Sequence, residues 1–372
     1  MEGYILGGRN IPEHIFKRRF VNRNGKGALS DFERLFRKNF ITEKDLERIS
    51  LWGANCVRVP FNYRLIEEKP YKYSKKGIQI LRRLLSRAGK YNLKVILDLH
   101  AGPGAQNADW HSDSSGNALL WERKSFQDRA FSLWQFLAEE FKGNPAVAGF
   151  DLLNEPVVEK KQVSSLIKFY KKLIRKIREA DRDRLLFVEG NLWAQEIDFL
   201  SELLSDKVKI SIHTYQPLDF TFNFRRFYHY PGGVSGVEWS KSVLKKSLEH
   251  YKKFSDKYST ELFAGEFGVN YRNGHFGELA WLEDILSLFK EWKFSWTYWT
   301  YKAVSGSVFP DGIMQYLENP AWVKREGPVP GWENYIEMWP KLSKEIIASL
   351  RTENFFPAEG SLEVLKKYFS MD

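Results

Sequence analysis

One cysteine in 372 residues leaves no partner for an internal disulfide. Cys56 lies in the run Cys56-Val57-Arg58-Val59, with nothing nearby that looks like a base for it, and it reads as an inert core thiol. No apolar stretch approaches the roughly 20 residues needed to span a bilayer. Tyr4-Ile5-Leu6 follows Met1 almost at once, without a basic region, an apolar signal core or a cleavage site. With no N-x-S/T sequon either, the expected location is cytoplasmic, with no membrane partner. Gly7-Gly8-Arg9 is not the G-x-G-x-x-G of a dinucleotide turn, and no H-E-x-x-H spacing is present for zinc. No cofactor and no metal are expected. A Gly/Ser-rich or Pro-rich divider is missing as well, and no repeat recurs at a solenoid period.

Hydrophobic residues make up 43% of the chain and charged residues 28%, enough for a large core. The formal charge of +10 comes from lysines carried mainly on apparent helices such as Ser164 to Arg178 and Ser240 to Lys257. Those lysines read as solvated faces, and no nucleic-acid partner is expected. Thr42 caps a helix at Thr42 to Ile49, and further helices are expected at Lys75 to Tyr91, Phe126 to Phe141, Val163 to Ala180, Ser242 to Tyr258 and Leu279 to Lys290. Buried strands are expected at Tyr4 to Leu6, Cys56 to Pro60, Val95 to His100, Val147 to Leu153, Leu185 to Glu189, Val208 to Thr214, Leu262 to Glu266 and Phe294 to Trp299. That alternation predicts an α/β (β/α)₈ TIM barrel, one catalytic domain over 1–372. It includes a long loop after the third of these strands, a closing helix at Leu342 to Leu350 and a short C-terminal extension over 354–372.

In such a barrel the C-terminal strand ends share one mouth. Arg58, His100, Asn154, Glu155, His213, Tyr215, Glu266 and Trp299 fall at or just past those ends. Glu155 and Glu266 are far apart in the chain, so only barrel closure can bring them face to face. Two glutamates in different environments suit glycoside hydrolysis, in which one carboxyl donates a proton while the other stays ionised and attacks the sugar. A separation of about 5 to 5.5 Å would mean a covalent intermediate and retained configuration. Asp98 and Asp151 read as satisfied partners inside the barrel, and Glu189, before Gly190-Asn191, is a further candidate for lining the sugar site. His100, His111 and His213 read as sugar contacts or satisfied polar groups. Arg58 and Trp299 would each pass for an ordinary buried residue if they stood alone.

The motifs Trp52-Gly53-Ala54-Asn55-Cys56-Val57-Arg58-Val59-Pro60, Asp98-Leu99-His100, Leu153-Asn154-Glu155-Pro156, His213-Thr214-Tyr215, Gly265-Glu266-Phe267-Gly268 and Trp296-Thr297-Tyr298-Trp299 together resemble glycoside hydrolase family 5, the cellulase-like retaining enzymes. The resemblance implies Glu155 as acid/base and Glu266 as nucleophile. It has Arg58 and Tyr215 holding Glu266 ionised, Asn154 on the sugar 2-hydroxyl, His100 and His213 lining the subsite and Trp299 as its floor. Trp110 and Trp193, and less firmly Trp239, lie in loop-like contexts where an aromatic could stack on a sugar face. The beginning of the loop Ala101 to Arg123 resembles that of the family's exo-acting glucanases, which implies a partly closed cleft for chain ends or short oligosaccharides. The expected substrate is a β-linked glucan or its oligosaccharides, with β-mannan as the alternative. A non-catalytic carbohydrate-binding barrel is the reading from another class, and it would have no need of either glutamate.

Overall fold

The computed structural model describes residues 3–304, 308–316 and 331–369. Seven parallel strands form one sheet in sequence order: β1 (Cys56–Asn62), β2 (Lys94–Ala101), β3 (Val147–Asp151), β4 (Leu185–Glu189), β5 (Val208–His213), β6 (Leu262–Phe267) and β7 (Ser295–Tyr298). The sheet curls into a nearly closed barrel, with β1 and β7 at its two ends. Pleating splits each apolar run. Ile96, Phe187 and Phe263 meet inside the barrel beside Cys56, while Val95, Leu97 and Leu99 join the core beneath the surrounding helices. Burial pushes the Cys56 thiol up to about 12, as suits an unreactive core position.

The longer helices are α1 (Glu13–Asn39), α2 (Glu43–Leu51), α3 (Lys75–Lys90), α4 (Lys124–Glu140), α5 (Val163–Ala180), α6 (Lys241–Tyr258), α7 (Glu278–Trp292), α8 (Trp332–Ser349) and α9 (Glu359–Phe369). Thr42 and Asp45 close a reciprocal capping box at the start of α2. None of the described helices is long and apolar enough to cross a membrane. The C-terminal extension packs back on the barrel: Phe356–Pro357 pairs with Met314–Gln315, and Tyr368 of α9 donates to Glu283 of α7 at 2.9 Å. Residues 370–372 lie outside the described residues.

Three elements differ from the sequence reading. Tyr4–Leu6 is a 3₁₀ turn at the barrel mouth and not a first strand, so among the described residues the barrel sheet has seven strands. Leu6 is buried in a second core, and Gly8 presses against Trp332 and Glu333 of α8, where any Cβ would collide. Side-chain burial in that second core therefore outweighs the β-like composition of the segment. The same core contains α1, which the sequence reading left unassigned, and it extends the closing helix back from Leu342 to Trp332. Phe16, Phe20 and Phe32 of α1 pack against Trp332, Tyr335 and Trp339 of α8, and the Phe16 and Trp332 rings stack at 4.3 Å.

Lys302, just past β7, anchors this second core to the barrel. Its ammonium donates to Phe40 O at 2.7 Å, Leu350 O at 2.8 Å and Thr352 Oγ1 at 2.9 Å. Phe40 and Leu350 are the C-caps of α1 and α8, so one cation meets the negative ends of two helices. Burial pulls the amine down to about 7, although three acceptors match the three protons of the charged form. Lys302→Met, which strands those buried acceptors, is expected to lower stability by about 2 kcal/mol or more, seen as a lower urea midpoint at unchanged m value.

Candidate active site

The site is built on Arg58, which points from β1 into the barrel mouth with only 3% of its side chain exposed. Nε donates to Asp151 at 2.8 Å, and Nη1 donates to Glu266 at 2.7 Å. Nη2 donates to Asn154 at 2.9 Å and Glu189 at 3.1 Å and lies 3.2 Å from Asp98. Burial works against its charge, but the carboxylates of Asp98, Asp151, Glu266 and Glu189 outweigh that cost. Asp151 is driven the other way, well above the usual carboxylate range, by burial and by the charge of Glu189.

Glu266 is placed by a local irregularity in β6. The register against β5 slips between Ala264 and Glu266, which brings Glu266 opposite His213. Gly265 makes the slip possible, because a Cβ there would lie 2.4 Å from Ser211 Oγ and 3.1 Å from His213 Nε2. Tyr215 Oη donates to Glu266 Oε2 at 3.0 Å, and burial together with the Glu266 charge keeps that phenol protonated. The expected contacts from Arg58 and Tyr215 are therefore present, yet the Glu266 carboxyl titrates above its ordinary value. Burial is the largest influence and the neighbouring Glu155 adds to it, against the pull of His213 and Arg58.

Glu155 sits in a left-handed backbone conformation, φ 48°, a strain of about 1 to 3 kcal/mol for a non-glycine residue. Buried side chains hold it there. Glu189 Oε2 accepts from Glu155 N at 2.6 Å, Asn107 Nδ2 donates to Glu155 O at 2.8 Å and Gln106 Nε2 donates to Asn154 O at 2.8 Å. Its carboxylate meets His213 Nδ1 at 2.8 Å on Oε1 and His111 Nε2 at 3.1 Å on Oε2. Burial raises the carboxyl; were both imidazoles to donate and carry charge, they would bring it well below the carboxylate range, so the proton on His111 Nε2 matters to its state. His213 lies 3.2 Å from Glu189 and 3.6 Å from Glu266 as well, and those carboxylates outweigh its burial and push its pKa well above the usual value.

Glu155, His213 and Glu266 offer ligand atoms that all lie within 4.8 Å of one another. A cation could in principle sit among them. Glu266, however, has its two oxygens on Arg58 and Tyr215, and His213 has its two nitrogens against carboxylates, so the protein already supplies the counter-charge.

Around this centre, His100 donates or accepts through Nδ1 at Asp98, 2.8 Å away, and stacks parallel on Trp299 at 5.6 Å. The Trp299 indole N–H reaches the Tyr4 hydroxyl. Trp110 meets Tyr4 and Phe309 edge-on, and Trp193 donates to Asp109 at 2.8 Å. A cavity of about 400 Å³ is lined by both glutamates, these aromatics, Phe222 and Phe224. A larger one of about 1280 Å³ runs along the β1 and β7 seam; it reaches His100 and Trp110 but neither glutamate. Trp239 is packed into the main core, away from the site. Asn154 Nδ2 is a buried donor without a partner among the described residues.

Sequence reasoning did not connect His111 to Glu155, and it did not bring Tyr4 to the mouth. It also left Glu189 as a possible sugar contact, whereas that side chain is fully buried and braces Arg58, His213 and the Glu155 backbone. The signal for His111 was its place in a long, structured loop after a barrel strand. The loop itself is tied down at Asp113, which accepts from His14, Asn62 and Arg64.

A parallel βα barrel with two glutamates facing each other at its C-terminal mouth is an arrangement that suits a glycoside hydrolase. The chain belongs to the cellulase family, glycosyl hydrolase family 5, whose description matches residues 21–305. It is 31% identical over 284 residues to a Beta-xylosidase of Phanerodontia chrysosporium, covering 72% of this chain and 58% of that protein, little more than half its length. Endoglucanase C of Acetivibrio thermocellus is 30% identical over 303 residues, 73% of this chain and 86% of that protein. A solved glycoside hydrolase superposes with a TM-score of 0.62 at 23% identity, over 84% of this chain and 92% of that one, a likeness of fold.

The Tyr215 hydroxyl donates to Glu266 and stabilises its ionised form more than its protonated one. In Tyr215→Phe the Glu266 carboxyl, already above its ordinary value, is expected to rise further by about one pH unit, the worth of one hydrogen bond. Carbon-13 chemical-shift titration of labelled glutamate checks this.

Proposed function

We propose that this protein is a retaining β-glycosidase acting by double displacement, with Glu155 as acid/base and Glu266 as nucleophile. The observation that carries the reading is the approach of the two carboxylates, with oxygens within 4.8 Å of each other. Inverting enzymes need about 6.5 to 9.5 Å between carboxyl groups to admit a water, whereas attack by the enzyme itself needs about 5 to 5.5 Å.

In the first step a Glu266 oxygen attacks the anomeric carbon while Glu155 protonates the departing glycosidic oxygen. Arg58 and Tyr215 fix the attacking carboxylate by one hydrogen bond on each oxygen. In the second step Glu155 takes a proton from water, which attacks the same carbon and releases Glu266, so two inversions give net retention. Asn154, held through Oδ1 by Arg58, has Nδ2 to donate to the sugar 2-hydroxyl. Trp299, braced flat against His100, supplies an apolar face for the pyranose ring.

The substrate class we favour is β-linked glucan, taken as chain ends or short oligosaccharides. Support comes from the endoglucanase relative and from a cavity of about 400 Å³, at the small end of ligand sites, rimmed by Trp110, Trp193 and Phe309. His100, His213 and these tryptophans line the sugar path in this reading.

Proton NMR of the first-formed product should show the β-anomer, and an initial α-anomer would refute the mechanism. Glu266→Ala should abolish turnover of every substrate. Glu155→Ala should lose about 10²- to 10⁴-fold on poor leaving groups, with added azide trapping a β-glycosyl azide on activated ones. A panel of aryl β-glucosides, β-mannosides and β-xylosides reads the sugar preference, and a clear mannoside or xyloside preference would overturn the glucan assignment.

A further inference from the structure

Asn107 and His111 lie on the loop that follows β2, and their hydrogen bonds allow only one arrangement of donors. Asn107 Oδ1 accepts from Asp109 N at 2.9 Å, and its Nδ2 donates to Glu155 O at 2.8 Å, which fixes the orientation of the amide. The same Nδ2 lies 2.9 Å from His111 Nε2. An amide nitrogen is a donor only, so His111 Nε2 must turn its lone pair toward it and be the accepting nitrogen of a neutral ring. That nitrogen also lies 3.1 Å from Glu155 Oε2. A lone pair facing an ionised carboxylate oxygen repels it, whereas a lone pair facing a carboxylic acid accepts its proton in a hydrogen bond.

We propose that Asn107 and His111 are positioning residues for catalysis, holding the transferable proton on Glu155 Oε2 by presenting it with a neutral imidazole acceptor. The inference rests on Glu155 being the acid/base and adds what keeps it in the acid form. An imidazolium at His111 would have the opposite effect and keep Glu155 ionised. Asn107 decides between the two states, because its N–H group and a protonated Nε2 would meet donor to donor.

The other charged groups around Glu155 leave room for this role. His213 of β5 donates to Oε1, Glu189 of β4 accepts from the Glu155 backbone, and Glu266 of β6 faces it across the cleft. Arg58 stands behind Asn154 and Glu266, and Asp98 stands behind His100, whose ring is 6.0 Å from that of His111. His111 Nε2 is the group that faces Oε2, 3.1 Å away, so the accepting role falls to it.

The test is the pH dependence of kcat/KM for His111→Leu on two aryl β-glucosides, phenyl with a poor leaving group and 2,4-dinitrophenyl with a good one. Loss of the acceptor should move the basic limb for the phenyl substrate down by about one pH unit, the worth of one hydrogen bond to the protonated form. The dinitrophenyl substrate, whose departure needs no proton, should change little. His111→Gln, which keeps an acceptor oxygen, should restore the limb. Asn107→Asp, which replaces the N–H donor with an acceptor and draws a proton onto Nε2, should shift the limb down even if the leucine variant fails to fold. An unmoved limb, equal loss on both substrates, or an upward shift would each overturn the proposal. Glu155→Gln separates the two readings: if it hydrolyses both substrates like the wild type, the acid/base assignment fails. If it is inactive on the phenyl substrate while the His111→Leu limb stays put, only the role of Asn107 and His111 fails.

Discussion

The guanidinium of Arg58 is the contact on which the rest of the site depends. It stands where strands β1, β2, β3, β4 and β6 converge and meets a polar side chain from, or just past, the other four: Asp98, Asp151 with Asn154, Glu189 and Glu266. Gathering so many carboxylates in a buried mouth would be prohibitive without a cation among them. A lysine could not replace it, because the planar fork reaches several partners in fixed directions while an ammonium offers only three donors at one point. Arg58 therefore lets the barrel concentrate acidic groups, and the two glutamates belong to that concentrated set.

Placed in such a set, the two glutamates differ through their immediate partners. Glu266 has Arg58 and Tyr215, both donors in every protonation state relevant near neutrality, yet burial still holds its carboxyl above the ordinary value. Glu155 has two histidines, which can donate or accept. Its proton affinity therefore depends on which ring nitrogens carry hydrogen, and the Asn107 amide, on a loop outside the barrel, faces one of them. The strained backbone at Glu155 belongs to the same design, with Glu189 and Asn107 gripping the residue from both sides so that its carboxyl points into the cleft.

The buried parallel strands were legible because their apolar runs are short and separated by helices with clear apolar periodicity. Tyr4–Leu6 departs from the expected strand because three apolar residues satisfy strand and 3₁₀ turn equally, and the choice falls to Leu6 finding a place against α1 and α8. α1 escaped notice since its charged residues are dense and its buried phenylalanines face a core made by a helix far away in the chain. At the site, residues at the strand ends could be named from motif and position, whereas the contact of His111 with Glu155 and the bracing role of Glu189 could not.

What the sequence by itself determined is the alternation of strands and helices, and with it the rule that strand ends share a mouth; Glu155, Glu266, Arg58, His213 and Tyr215 follow from that rule. The tertiary structure alone decided the 3₁₀ turn at Tyr4–Leu6, the second core tied down by Lys302, and the contacts and burial that set each carboxyl's proton affinity. The physical reason is that periodicity along a chain records which face of an element is buried. Proton affinity and segment conformation depend instead on distances of a few ångströms between groups that only folding brings together.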